Sequence, residues 1–85
     1  VDSRSDIFSL GVTMYVLLTG VKPFQGDSLA AISYKVVNDK HPDILMVCSD
    51  LPTCVKAIIN KALHKEPDKR YQTGGTMRRA LLRCP

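Results

Sequence analysis

No apolar run in this chain of 85 residues is long enough to cross a bilayer. The longest candidate, Leu10 to Leu18, falls short of the roughly 20 residues that a membrane helix needs. The chain opens on charged residues rather than on a basic stretch followed by an apolar one, so no signal peptide is read. It has no C-x-x-C pair, and its three cysteines, Cys48, Cys54 and Cys84, are an odd count. That argues against a disulfide framework or a structural zinc site, and for three reduced thiols in a cytoplasmic protein. His41 and His64 stand at a spacing that matches no metal-ligand pattern. A glycine-rich phosphate loop is missing, because Gly74-Gly75 follows no strand signal. No nucleophile elbow is present either. Ser9 and Cys54 therefore read as core or cap residues, and Asp27, Asp39 and Asp43 as turn residues. His64 most simply complements a helix dipole.

What is there suits one domain and not two. A hydrophobic fraction of 45% and a charged fraction of 24% are ordinary for a globular chain. The net charge of +4 is unevenly spread. Residues 1–55 carry a net of −2 and residues 56–85 a net of +6. A basic end of this kind is commonly a set of solvated helix faces. It also admits a weaker alternative, DNA binding through Arg78, Arg79 and Arg83.

Four helices and no strands can be read. The first starts near Ser5 or Asp6 and runs to about Thr19, with an acid at its positive end. Gly20 stands at the position of a glycine stop, and Pro23 forbids further helix. Ile7, Leu10, Met14, Leu17 and Leu18 form one apolar stripe. Phe8, Val12, Tyr15 and Val16 make its other sides apolar too. A helix that is apolar all round belongs in the middle of something, and three other short helices would hardly enclose it. Residues 25–28 are a turn ending in cap residues. Leu29, Ile32, Ser33 and Val36 then mark a second helix to about Val37. Asn38 to Asp50 is a connector. The third helix puts Val55, Ile58, Ile59, Ala62 and Leu63 on one face, with Pro52 in its first turn and Pro67 beyond its end. Pro67 to Arg70 is a turn. Thr73 caps a fourth helix reaching about Arg83, weakened by Gly74 and Gly75. The fold class is all-α.

Two residues invite more than a local reading. Asp6 precedes the most buried-looking helix, so its carboxylate can anchor a neighbouring backbone as well as cap. Arg70, beside Tyr71, can be solvated or can hold a buried carboxylate in a bidentate pair. At these residues the chain resembles protein kinases. Asp6-Ile7-Phe8-Ser9-Leu10-Gly11 resembles the D-x-aromatic-S-x-G motif that opens the central helix of the kinase large lobe. Tyr15, Leu18-Thr19-Gly20 and Pro23-Phe24 continue the pattern. Ile58-Ile59, Lys61-Ala62-Leu63, Lys65, Pro67 and Arg70-Tyr71-Gln72 resemble the last block of that lobe. The combination is most similar to the bacterial serine/threonine kinases of eukaryotic type, and it covers essentially the whole chain.

The resemblance implies that residues 1–85 are a partial kinase domain, a four-helix segment of the C-terminal lobe after the activation segment. It implies that Asp6 holds the catalytic-loop backbone and that Arg70 pairs with the glutamate of the A-P-E motif. It further implies that Thr13 and Leu17 support the hydrophobic spine beneath the adenine site. The second helix would dock substrates or partners, or mediate a homodimer. The parent enzyme would use ATP and Mg to phosphorylate protein Ser or Thr. The glycine-rich loop, phosphate-binding lysine, catalytic loop and D-F-G site lie upstream in that family and are not in this sequence. No catalytic, cofactor or metal residue is therefore expected in this chain, and Val1 in place of Met suggests a piece of something longer. The partners expected are the rest of the kinase domain and protein substrates, with no nucleic acid and no membrane. Val16 departs from the glutamate common at its position. Thr76 stands where an acid would complete a capping box with Thr73, which leaves the last helix expected to fray. The rival expectation is a stand-alone, self-associating helical module, motivated by the apolar surface that the first helix would leave uncovered.

Overall fold

The computed structural model describes residues 3–84. Its elements run α1 (Ser3–Thr19), α2 (Leu29–Asn38), α3 (Ile44–Val47), α4 (Thr53–Ala62), a 3₁₀ turn (Pro67–Lys69) and α5 (Gly74–Arg83), with no strand among the described residues. α1 is the axis: α4, α3, α5 and the 3₁₀ turn all pack against it. The helix starts before Ser5, so Asp6 lies within its first turn and is not its N-cap. Gly20 closes α1 with φ of 74°, the left-handed conformation that glycine adopts without a Cβ penalty.

Two clusters share the core. Ile7, Ile58, Ala62, Tyr71 and Met77 join α1 to α4 and α5. Tyr15, Ile44, Ile59 and Leu63 join α1 to α3 and α4. The fit between α1 and α4 is close. A Cβ added at Gly11 would stand 3.0 Å from both the Ala62 Cβ and the Leu63 Cδ2, so only glycine lets the two helices approach this far.

The face read from sequence for the third helix holds: Ile58, Ile59, Ala62 and Leu63 are buried and Val55 is half-buried. That helix stops at Ala62, with Pro52 outside it as the N-cap. The connector Asn38–Asp50 holds a helix that the sequence does not reveal. α3 is one turn long, too short for periodicity, and is capped by the Asp43 carboxylate accepting from the Leu45 N–H at 3.0 Å. Tyr15 anchors it, being fully buried and donating its hydroxyl to the Pro42 carbonyl at 2.8 Å. α2 is different in kind, since none of its residues is buried. Leu29, expected on its packed stripe, is 80% exposed, while Ile32 and Val36 are half-buried. Among the described residues no other helix packs broadly against it.

Two expectations are corrected. Cys54 and Cys84 are joined by a disulfide, with Cα atoms 5.8 Å apart, and only Cys48 is free. The pair is 30 residues apart in sequence and meets only because α4 and α5 pack side by side, which spacing cannot show. The last helix also has the capping box it was expected to lack. The Thr76 N–H donates to the Thr73 hydroxyl oxygen at 3.1 Å, and the Thr73 N–H donates to the Thr76 hydroxyl oxygen at 3.4 Å. A threonine hydroxyl here does the work of an acid.

Candidate functional site: the open side of the central helix

α1 carries large apolar residues on two sides of opposite fate. Ile7, Gly11 and Tyr15, at spacing i, i+4, i+8, are buried against α4, α3 and α5. Asp6, Leu10, Thr13 and Leu17, also at helical spacing, form a stripe on the far side and are all exposed. Leu10 is 44% and Leu17 78% exposed. Thr13 turns its hydroxyl inward along the helix, donating to the Ser9 carbonyl at 3.1 Å, and so presents its methyl outward. Among the described residues, no hydrogen bond or ion pair ends on the Asp6 carboxylate. Among the described residues, then, an acid with no partner begins an apolar stripe with no cover.

Arg70 sits at the same end of α1 but on the packed side. Its guanidinium donates to three carbonyls: Nε to His64 at 2.6 Å, Nη1 to Arg4 at 3.4 Å and Nη2 to Lys65 at 3.4 Å. It also lies 4.7 Å from the centre of the Phe8 ring. Phe8 stacks on Phe24 at 6.1 Å, and the Lys65 ammonium lies 4.4 Å from the centre of the Phe24 ring. Each of the two stacked rings thus meets a cation, a contact favoured by the ring quadrupoles. The stack fastens the start of α1, the loop after it and the end of α4. Lys65 continues inward, donating to the Lys35 and Val36 carbonyls at 3.3 and 2.5 Å and closing the end of α2. Loss of water around its ammonium pushes the Lys65 pKa down.

Asp6 and Arg70 thus occupy one end of α1, whereas Thr13 and Leu17 extend along its open side. Sequence reasoning missed Lys65 and Phe24 as structural keystones. The signal available was only that they belong to the Pro-Phe and Lys-x-Pro patterns. It also did not bring His41 and His64 together, yet both line one groove of about 410 Å³ beside α4. The His41 Nε2 pairs with the Asn60 Oδ1 at 2.8 Å, and the His64 Nδ1 accepts from the Glu66 N–H at 3.1 Å. Asp43 in the same groove pairs with Lys56 at 2.8 Å. Among the described residues, no group of three or more His, Cys, Asp or Glu is placed to hold a metal ion.

Comparison with known proteins shows what the chain is similar to. No protein-family model matches the chain. Individual proteins do. The serine/threonine-protein kinase PknB of Mycolicibacterium smegmatis is 43% identical over 83 residues, covering 98% of this chain and 13% of that protein. PknB of Mycobacterium tuberculosis is 41% identical over the same shares. The chain matches a segment of the bacterial serine/threonine-protein kinases. A Clostridium perfringens serine/threonine-protein kinase, 38% identical over 72 residues, covers 85% of this chain and 10% of that protein. The chain therefore spans about an eighth or less of the length of these kinase relatives. The all-helical fold agrees with a helical segment of a kinase C-terminal lobe. No helix among the described residues is long and apolar enough to cross a membrane.

Proposed function

We propose that this kinase segment is scaffold: the central pillar and docking surface of a serine/threonine protein kinase, without catalytic groups of its own. The parent enzyme transfers the γ-phosphoryl of ATP, with Mg, to protein Ser or Thr hydroxyls. The residues of this chain do not fit that nucleotide or metal. They include no phosphate cradle, no catalytic-loop base and no D-F-G carboxylate, so the reaction is assigned to the rest of the kinase domain. In this reading Asp6 accepts hydrogen bonds from the catalytic-loop backbone, and Thr13 and Leu17 support the hydrophobic spine. Arg70 pairs in the parent with the glutamate of the A-P-E motif. The parent is cytoplasmic in this reading.

The observation that carries the proposal is the open stripe itself. A helix packed on one side, with leucines and an unpartnered acid on the other, is built for a second layer of protein. The test is phosphotransfer by an intact kinase containing this segment. Asp6→Ala there lowers kcat about 100-fold, because the catalytic loop loses its fixed position. Unchanged kcat would remove Asp6 from that role.

A second surface favours partner docking. Leu29, Tyr34 and Val37 on α2 are 80%, 65% and 70% exposed. They leave apolar side chains open to a protein substrate or to a second copy of the chain. Sedimentation of the chain and of Tyr34→Asp distinguishes the two. Self-association lost in the variant supports the homodimer, and a monomer in both leaves α2 to substrates.

A further inference from the structure

We propose that Cys54 and Cys84 are a reversible thiol–disulfide couple whose state decides whether α5 stays docked on α4. The argument starts from how little else holds α5. Its one buried residue among those described is Met77, while Ala80, Leu81 and Cys84 are half-buried against the same cluster. Its remaining long side chains, Arg78, Arg79, Leu82 and Arg83, are exposed. It begins with Gly74 and Gly75, both poor helix formers.

The bond is placed where it has most leverage. α4 and α5 are joined at one end by residues 63–73, which include the 3₁₀ turn. Cys54 lies in the first turn of α4, and Cys84 caps the last turn of α5. The sulfurs therefore fasten the end of the helix pair that the chain leaves open. Oxidation closes a loop across a sequence separation of 30 residues, and reduction releases it. Cys48, at the end of α3, stands outside the pair.

The chemistry balances with a low-molecular-weight disulfide of the glutathione class as oxidant. The Cys54 thiolate attacks one sulfur of that disulfide, forming a mixed disulfide and expelling one thiolate. The Cys84 thiolate then attacks the Cys54 sulfur, forming the Cys54–Cys84 bond and expelling the second thiolate. Two electrons pass from the protein to the oxidant, and the two protons lost by the cysteines end on the two released thiols. Docking and bonding are linked, so each must favour the other by the same factor.

The experiment equilibrates the chain in reduced and oxidised glutathione, traps free thiols by alkylation and follows amide exchange by mass spectrometry. The expected result is a Cys54–Cys84 linked peptide with Cys48 alkylated. On reduction, amides of residues 74–84 should exchange about 100-fold faster while those of α4 hold their protection. Met77→Ala, which loosens docking, should lower the ratio of oxidised to reduced pair about tenfold or more. Cys48→Ser should change neither readout. Equal protection of α5 in both redox states would overturn the proposal. So would a loss of protection in all helices together, a redox ratio indifferent to Met77→Ala, or a bond that needs Cys48. Should Met77→Ala fail to fold, the exchange measurement on the unaltered chain decides alone.

Discussion

Both sides of α1 carry large apolar residues, and their environments are opposite. On one, Ile7, Gly11 and Tyr15 are sealed against three other helices. On the other, Leu10 and Leu17 face outward beside Asp6. Apolarity alone therefore does not say which side of such a helix is core. What decides is shape: Gly11 admits the close approach of α4, and the Tyr15 hydroxyl finds the Pro42 carbonyl. The packed side holds this chain together, and the open side is where its function is expected to lie.

Substitutions on the packed side give the sharpest contrast. Tyr15→Ala empties a fully buried site and should cost about 3–5 kcal/mol in a urea titration of the chain. Tyr15→Phe, which removes only the hydroxyl, should cost about 1 kcal/mol. Next comes Gly11→Val, which drives new atoms into Ala62 and Leu63 and should cost about 2 kcal/mol, read by the same titration. Arg70→Ala should follow closely at about 1.5–2 kcal/mol, because charged donors to carbonyls are lost along with the contact to Phe8. By the resemblance alone the cost of this substitution belongs to the intact kinase, where Arg70 would pair with the A-P-E glutamate. The carbonyls that Arg70 holds change that.

A smaller effect is expected at Asp43, away from both sides of α1. The Lys56 ammonium and then the Leu45 N–H hold its carboxyl below the usual carboxylate range. A carboxyl with a lowered folded-state pKa stabilises the fold at pH above its ordinary value. That contribution fades as pH falls through the lowered one. The difference in urea midpoint between the chain and Asp43→Asn should accordingly be largest near neutral pH and vanish in acid. A constant difference across the range would remove the charge from the account. Smallest of all, Leu17→Ser on the open side should leave the stability of the chain within about 0.5 kcal/mol.

Much of this was legible in the sequence, for physical reasons. The face of α4 follows from periodicity, the stop at Gly20 from backbone sterics, and the surplus apolarity of α1 from its lack of a polar side. What was hidden depends on contacts between distant residues. The Cys54–Cys84 bond needs the packing of α4 against α5. The Phe8–Phe24 stack, with Lys65 and Arg70 against its rings, needs the loop after α1 to fold back. α3 is shorter than any period that could announce it. The stripe read from sequence set Leu10, Leu17 and Leu18 beside Ile7, but the structure buries Ile7 and turns the three leucines outward, because Gly11 and Tyr15 rather than the leucines meet α4 and α3.

The central claim is that the open side of α1 is an interface to the rest of a kinase lobe. Leu17→Asp tests it most directly when measured twice, as the urea midpoint of this chain and as the phosphotransfer rate of an intact kinase containing it. The account predicts an unchanged midpoint in the chain and loss of activity in the kinase, where the charge is buried without a partner. Full activity in the intact kinase would contradict it.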